Sequence, residues 1–144
     1  MENTDTIKLL QECDAGVKMA IASIDEVLEK ICNVDMKQLL EESKKHHEKL
    51  KNDIHFLLES YRSEEKDPNP IAKGMSWMKT NMKMSMDYSD KTVADLITDG
   101  CNMGIKSLNK YLNQYNMADT SSKEICIKLI SIEEQLCKEL RKYL

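Results

Sequence analysis

The chain has 144 residues, of which 41% are hydrophobic, 32% are charged and 5% are aromatic. This is the material of one domain with its own core, and 4 Gly and 2 Pro are too few for a β-rich fold with many turns. The formal net charge of −4 argues against nucleic acid as the main partner, because binding to phosphates needs a concentrated basic surface.

The cellular setting is predicted from what the sequence lacks. Its start, MENTDTIKLL, has no basic segment followed by an apolar run, so no signal peptide is expected. No apolar stretch approaches the roughly 18 residues that a spanning helix needs, so we expect no membrane insertion. The five cysteines are odd in number and not tightly spaced, which favours reduced thiols in a cytoplasmic protein.

The first part of the chain predicts a helical hairpin over residues 5–62. Apolar residues spaced alternately by three and four predict a first helix over 5–32. Asn33 can end this helix and Asp35 can cap a second helix over 36–61. Because the turn between them is tight, the two helices should pack antiparallel.

Residues 63–89 predict a crossover that contains a short helix. Asn69 before Pro70 is typical of a helix start, since proline is tolerated at the first helical position. The helix is expected over 71–86, where flexible methionines would seal the bundle. An alternative is a methionine-rich surface for a protein partner, anchored by tryptophan. The residues of that possible interaction surface are Met75, Trp77, Met78 and Met82.

A second hairpin is predicted over residues 90–144. Ser89 can cap its first helix, and Ser121 with Glu124 forms a capping box for its second. The whole chain, residues 1–144, is therefore predicted to be one all-α domain. Its architecture would be a ferritin-like four-helix bundle of two helical hairpins joined by a crossover with a short fifth helix.

A hexapeptide pattern, Cys-x-x-Gly-x-Lys, occurs twice, once in each predicted hairpin. CDAGVK spans residues 13–18 and CNMGIK spans 101–106. Glycine inside a helix costs about 1 kcal/mol relative to alanine, so we expect a packing reason for both. We interpret Cys13, Gly16, Cys101 and Gly104 as a structural notch where the first helices of the two hairpins approach closely. The alternative is a paired-thiol or metal site there.

Short motifs along the chain resemble those of a known family. The matching residues are Asp14 and Gly16, then Gly74 and Trp77, then Cys101, Gly104 and Tyr111. In this order they resemble a bacterial ferritin-like family of unknown function, the domain of unknown function 2383 type. The resemblance implies a four-helix bundle and carries no activity over to this chain.

The wider ferritin-like class suggests a di-iron site, which needs Glu-x-x-His on two helices. All three histidines, His46, His47 and His55, lie on the second predicted helix, and none has a glutamate three residues before it. We therefore expect no di-iron site and no cofactor. The preferred interpretation of these histidines is a neutral buried imidazole bonded to a nearby carboxylate. The alternative is a single metal held by Glu42, His46, His47 and Glu133.

The sequence thus predicts a protein that is not an enzyme and serves as a structural or protein-interaction module. Its partner would be a protein, including a second copy of itself in a homo-oligomer. Two alternatives stay open: a metal-binding bundle with one site on the second-helix histidines, and a thiol-based redox protein that uses Cys13 and Cys101.

Overall fold

The computed structural model describes residues 4–61 and 89–144. The helices α1 Thr4–Leu28 and α2 Val34–Ser60 form one hairpin, and α3 Asp90–Gln114 and α4 Thr120–Leu140 form the other. A 3-10 turn, Arg141–Tyr143, follows α4. Within the described ranges there is no strand, so the prediction of an all-α bundle is confirmed. The predicted crossover helix, with Met75, Trp77, Met78 and Met82, lies outside the described residues.

The four described helices form one bundle in which α1 and α4 each contact the other three helices. The hairpins meet where α2 packs on α4 and where α1 packs on α3, and α1 also contacts α4 across one diagonal. No helix of the described ranges is both long enough and apolar enough to cross a membrane.

Two apolar clusters identify the two ends of the bundle. One, here called the turn end, joins the end of α1 and the start of α2 to the start of α3 and the end of α4. The other, the loop end, joins the start of α1, the end of α2, the end of α3 and the start of α4. It follows that α1 runs parallel to α4 and that α2 runs parallel to α3. The last residue of α2 and the first residue of α3 therefore lie at opposite ends of the bundle.

The turn end is held by two side chains that accept bonds from the backbone of the α1–α2 turn. Asn33 is the N-cap of α2, and its side chain accepts a hydrogen bond of 2.9 Å from the N–H of Met36. The prediction that Asp35 caps this helix is wrong, because α2 already begins at Val34. The carboxylate of Asp90 accepts from the N–H groups of Cys32 at 2.8 Å and Asn33 at 2.9 Å, which ties α3 to the turn.

The loop end depends on Asp119, the N-cap of α4. Its carboxylate accepts from the Ser122 N–H at 2.8 Å and from the Tyr61 hydroxyl at 2.6 Å, and its own N–H donates to Thr6 Oγ1 at 2.8 Å. The prediction of a capping box at Ser121 is therefore wrong. A carboxylate suits the positive end of the helix dipole. Here the Asp119 carboxylate also joins the end of α2 to α4, and the Asp119 N–H joins α1 to α4. The predicted cap of α3 at Ser89 is confirmed.

We expect Asp119→Ala to lower the free energy of unfolding by about 1–3 kcal/mol, because it removes a cap and leaves Tyr61 without its acceptor. Urea denaturation followed by circular dichroism measures this loss. The matched control is Ser121→Ala at the exposed position of the predicted capping box, which should stay within about 0.5 kcal/mol of the parent protein. Equal losses in the two variants would contradict the observed cap.

Candidate functional site

The inward face of α4 carries two thiols and a carboxyl group in one row. Cys126, Leu129, Glu133 and Cys137 are spaced by three or four residues, so they share a helix face. We call this row the α4 stripe. Cys126 and Leu129 are fully buried, Glu133 is 6% exposed, and Cys137 is partly exposed.

The hexapeptide of α1 packs on the first half of the α4 stripe. The fully buried Cys13 thiol is hydrogen-bonded to Cys126. One turn later, a Cβ placed on Gly16 would lie 4.0 Å from Leu129 Cδ2, an ordinary van der Waals contact. Both contacts advance in the same direction along the two helices, as expected for the parallel pair α1 and α4. Within the hexapeptide, buried Asp14 forms an ion pair of 2.9 Å with Lys18 Nζ.

The hexapeptide of α3 packs on the second half of the α4 stripe, in the opposite direction. The Cys101 thiol is hydrogen-bonded to Cys137. A Cβ placed on Gly104 would lie 2.7 Å from Glu133 Oε2 and 2.9 Å from Oε1. The Glu133 carboxyl group therefore occupies the space that a side chain at position 104 would need. Gly104 is required by this close approach.

The arrangement differs from the predicted notch. The sequence indicated that the two Cys-x-x-Gly motifs face each other, whereas in the structure Cys13, Gly16, Cys101 and Gly104 all contact α4. Cys126 and Cys137 were not predicted as the thiol partners, although the spacing of 126, 129, 133 and 137 places them on one helix face.

The Cys101–Cys137 pair has one thiol that ionises more readily than the other. The pKa of Cys101 is raised well above its usual range because its thiol is hydrogen-bonded to Cys137 and because it is buried. The pKa of Cys137 is lowered because Cys101 donates to its sulfur, and the Arg141 cation one turn later adds to the effect. As a thiol, Cys137 donates to Asn102 Oδ1 at 3.7 Å and to the Thr98 carbonyl oxygen at 3.8 Å.

The Cys13–Cys126 pair also has one thiol that ionises more readily than the other, but both thiols are buried. Its hydrogen bond raises the pKa of Cys13, with burial adding to the rise, and lowers the pKa of Cys126. Both residues are 0% exposed. The two pairs therefore differ in access to solvent, and only Cys137 reaches the surface among these four thiols.

Glu133 is a buried acid whose Oε2 has no hydrogen-bond partner among the described residues. Burial, with smaller contributions from Cys137 and Cys126, raises the pKa of this carboxyl to about 8. Between about pH 4.5 and 8 the folded state then binds a proton that the unfolded state has released. The free energy of unfolding should therefore fall as pH rises through this window, by an amount on the order of 5 kcal/mol.

The residues of the alternative metal site do not come together. His47 is fully buried, whereas Glu42 and His46 are exposed beside the α2–α4 contact. Across residues 4–61 and 89–144, no three His, Cys, Asp or Glu side chains are grouped so that they could hold a metal ion. His47 Nδ1–H donates to the Ser43 carbonyl at 2.7 Å, where a carboxylate was expected, and burial lowers the pKa of the ring. The buried His47 imidazole is therefore neutral.

Comparison with protein-family models, with curated proteins and with solved structures gives no match to this chain.

Substitution by alanine should change the free energy of unfolding in opposite directions at Gly16 and Gly104. We expect Gly16→Ala to raise the free energy of unfolding by up to about 1 kcal/mol, since alanine favours a helix and the site has room. Gly104→Ala should lower it, because the new methyl group displaces the buried Glu133 carboxyl. Chemical denaturation at pH 6 measures both.

A Glu133→Ala background provides the control. There Gly104→Ala should become neutral or stabilising, which a double-mutant cycle records as a coupling between the two positions. Additive effects of the two substitutions would show that Glu133 does not rest on Gly104.

Proposed function

We propose that the protein is a non-enzymatic, ferritin-like helical bundle that acts as a thiol redox sensor. Cys101 and Cys137 would be the reacting pair. The observation that carries this proposal is the hydrogen-bonded contact between a buried thiol on α3 and a partly exposed, more acidic thiol on α4. A thiolate is the nucleophilic form of cysteine, so a lowered pKa and access to solvent favour reaction at Cys137.

Exposure and a nearby cation favour this pair over Cys13 and Cys126. Cys137 is partly exposed, whereas both sulfurs of the other pair are buried. Arg141 supplies a cation beside the Cys137 sulfur only. Cys101 is hydrogen-bonded to Cys137, so a resolving thiol is already in place. A disulfide between them would fix α3 to α4 near the turn end.

The ferritin-like part of the proposal concerns connectivity. Because α2 and α3 are parallel, the chain between them has to return along the bundle, as in bundles with one long crossover connection. The predicted crossover over residues 63–89, with a helix over 71–86, would supply this connection. The resemblance to the bacterial ferritin-like family of unknown function agrees with that order of elements.

We expect a small excess of hydrogen peroxide to convert the folded protein to a Cys101–Cys137 disulfide, while Cys13 and Cys126 stay reduced. Alkylation of the remaining thiols followed by peptide mass spectrometry identifies the linked residues. A disulfide between Cys13 and Cys126 formed equally fast, or no disulfide in the folded protein, would contradict the proposal.

Two surface variants test the electrostatic basis of this reaction. Asn102→Asp puts a negative charge beside the Cys137 sulfur, and Arg141→Gln removes the nearby cation. Each should raise the pKa of Cys137 and slow disulfide formation near neutral pH by about 3–10-fold. Lys142→Gln is the matched control, because it removes an exposed cation next in sequence to Arg141. Its rate should match that of the parent protein.

A second candidate function is a self-associating interaction module. The observation that favours it is a groove of about 360 Å³ between α2 and α4, with apolar side chains at its base and acids at its rim. Its lining includes Leu39, Glu42, His46, Ile132, Gln135 and Glu139. Residues 71–86 contain three lysines, no acid and the methionines noted above. They complement the groove in charge and hydropathy, and in this candidate they come from a second copy of the chain.

Sedimentation over a range of concentrations tests the second candidate. It predicts a dimer that Glu42→Lys weakens at least several-fold, while Glu48→Lys, an exposed acid outside the groove, does not. The emission of Trp77, the single tryptophan, should shift to shorter wavelength as the dimer forms. A monomer at all concentrations would contradict this candidate. A short-wavelength emission that is independent of concentration would assign the groove to the chain's own residues 71–86.

A further inference from the structure

Glu133 is a buried titratable group beside the proposed redox pair. Its carboxyl group rests on Gly104, one turn after Cys101 on α3, and it lies one turn before Cys137 on α4. The charges of Glu133 and Cys137 influence each other, and so do those of Glu133 and Cys101. The carboxyl group is therefore within the same small region as both thiols.

The environment of Glu133 leaves the acid available for proton transfer. Oε2 has no hydrogen-bond partner among the described residues, and the side chain is 6% exposed. The titratable groups near it are Cys126 and Cys137 on its own helix and Cys101 on α3. From the other two helices, Cys13 and His47 also enter the bundle interior. No Lys or Arg is among the groups that influence the carboxyl, so it is not held ionised by an ion pair.

We propose, resting on the proposed thiol function, that Glu133 transfers protons for the reaction of Cys137 and Cys101 with a hydroperoxide. As an acid it would protonate the departing oxygen of the oxidant. As a carboxylate it would then accept the proton of Cys101. Its position on Gly104, one helical turn from both hydrogen-bonded cysteines on the α3–α4 contact, is the geometry that carries this assignment.

The first step consumes one hydroperoxide molecule. The Cys137 thiolate attacks one oxygen of hydrogen peroxide, an S–O bond forms, and the O–O bond breaks. The departing hydroxide takes the proton of Glu133 and leaves as water. Cys137 is then a sulfenic acid, sulfur has lost two electrons to the peroxide, and Glu133 is a carboxylate.

The second step forms the disulfide. The Glu133 carboxylate accepts the Cys101 proton, and the resulting thiolate attacks the Cys137 sulfur. An S–S bond forms, the S–O bond breaks, and the departing hydroxide takes the proton back from Glu133 to leave as a second water. Glu133 is then a carboxylate, and it regains from solvent the proton that Cys137 released when it ionised. In sum, two thiols and one hydrogen peroxide give one disulfide and two waters, and Glu133 returns to its protonated form.

Proton transfer from a buried side chain suits this site because burial limits the access of bulk water to Cys101. An acid with a pKa of about 8 is protonated near neutral pH, as the first step requires. The same group can hold the Cys101 proton in the second step because it has just lost its own. General acid–base groups contribute roughly 100-fold or more to rates in comparable reactions.

The test measures the rate of Cys137 oxidation by hydrogen peroxide as a function of pH, in a Cys101→Ser variant that keeps a donor beside Cys137 and stops at the sulfenic acid. A probe specific for sulfenic acids gives the readout. We expect the rate to fall as pH rises through about 8, where Glu133 loses its proton. Glu133→Gln should lower the neutral-pH rate by roughly 100-fold and abolish that fall.

Glu133→Gln is chosen because glutamine resembles the protonated acid in shape and charge, so the fold should hold. Glu134→Gln removes an acid one residue away that is exposed, and it should leave the fall near pH 8 in place. Gly104→Ala keeps the acid but displaces it, and it should move the pH profile without changing Cys137 itself.

The outcomes separate this inference from the function on which it rests. If the parent protein forms the Cys101–Cys137 disulfide but Glu133→Gln has the same rate and pH profile, the role of Glu133 is wrong and the redox function stands. If the folded parent protein forms no such disulfide, both fail.

Discussion

The contact of both Cys-x-x-Gly motifs with one face of α4 is the constraint on which the rest of the structure depends. Cys13 and Gly16 contact it from α1, and Cys101 and Gly104 contact it from α3. The α3 motif needs its glycine, because the Glu133 carboxyl occupies the space beside Gly104, whereas the site of Gly16 on α1 has room for a methyl group. The orientation of both hairpins follows from this shared face, and with it the opposite ends at which α2 ends and α3 begins.

The same contact creates a chemical difference between two similar thiol pairs. The pair on α1 and α4 is buried in the core, next in sequence to an Asp14 that forms an ion pair with Lys18. The pair on α3 and α4 lies near the surface, beside a neutral Asn102 and a buried acid. Burial of Glu133 lowers stability above neutral pH, since the carboxylate is poorly solvated there. Such a loss of stability is typical of buried titratable groups that have a chemical role.

Part of this arrangement could be predicted from the sequence, and physical reasons limit the rest. The helices follow from apolar periodicity, and the cap at Ser89 follows from local residue chemistry. The cap at Asn33 was missed because Asn33 was assigned to the end of the first helix. The cap at Asp119 was missed because local spacing favoured Ser121 and does not show the bond to Tyr61, a partner 58 residues away in sequence. Cys126 and Cys137 were missed for the same reason. Spacing shows which residues share a helix face, but it does not show which other helix that face meets.

The central claim is that Glu133, Cys101 and Cys137 form one coupled site. The most direct measurement is a pH titration of the folded protein by NMR, with the side-chain carboxyl carbon of Glu133 and the β-carbons of the cysteines assigned. We expect Glu133 to titrate with a pKa of about 8 and the chemical shifts of the Cys101 and Cys137 β-carbons to change over the same pH range. A Glu133 carboxyl that titrates at an ordinary acidic value, with no response from either cysteine, would contradict it.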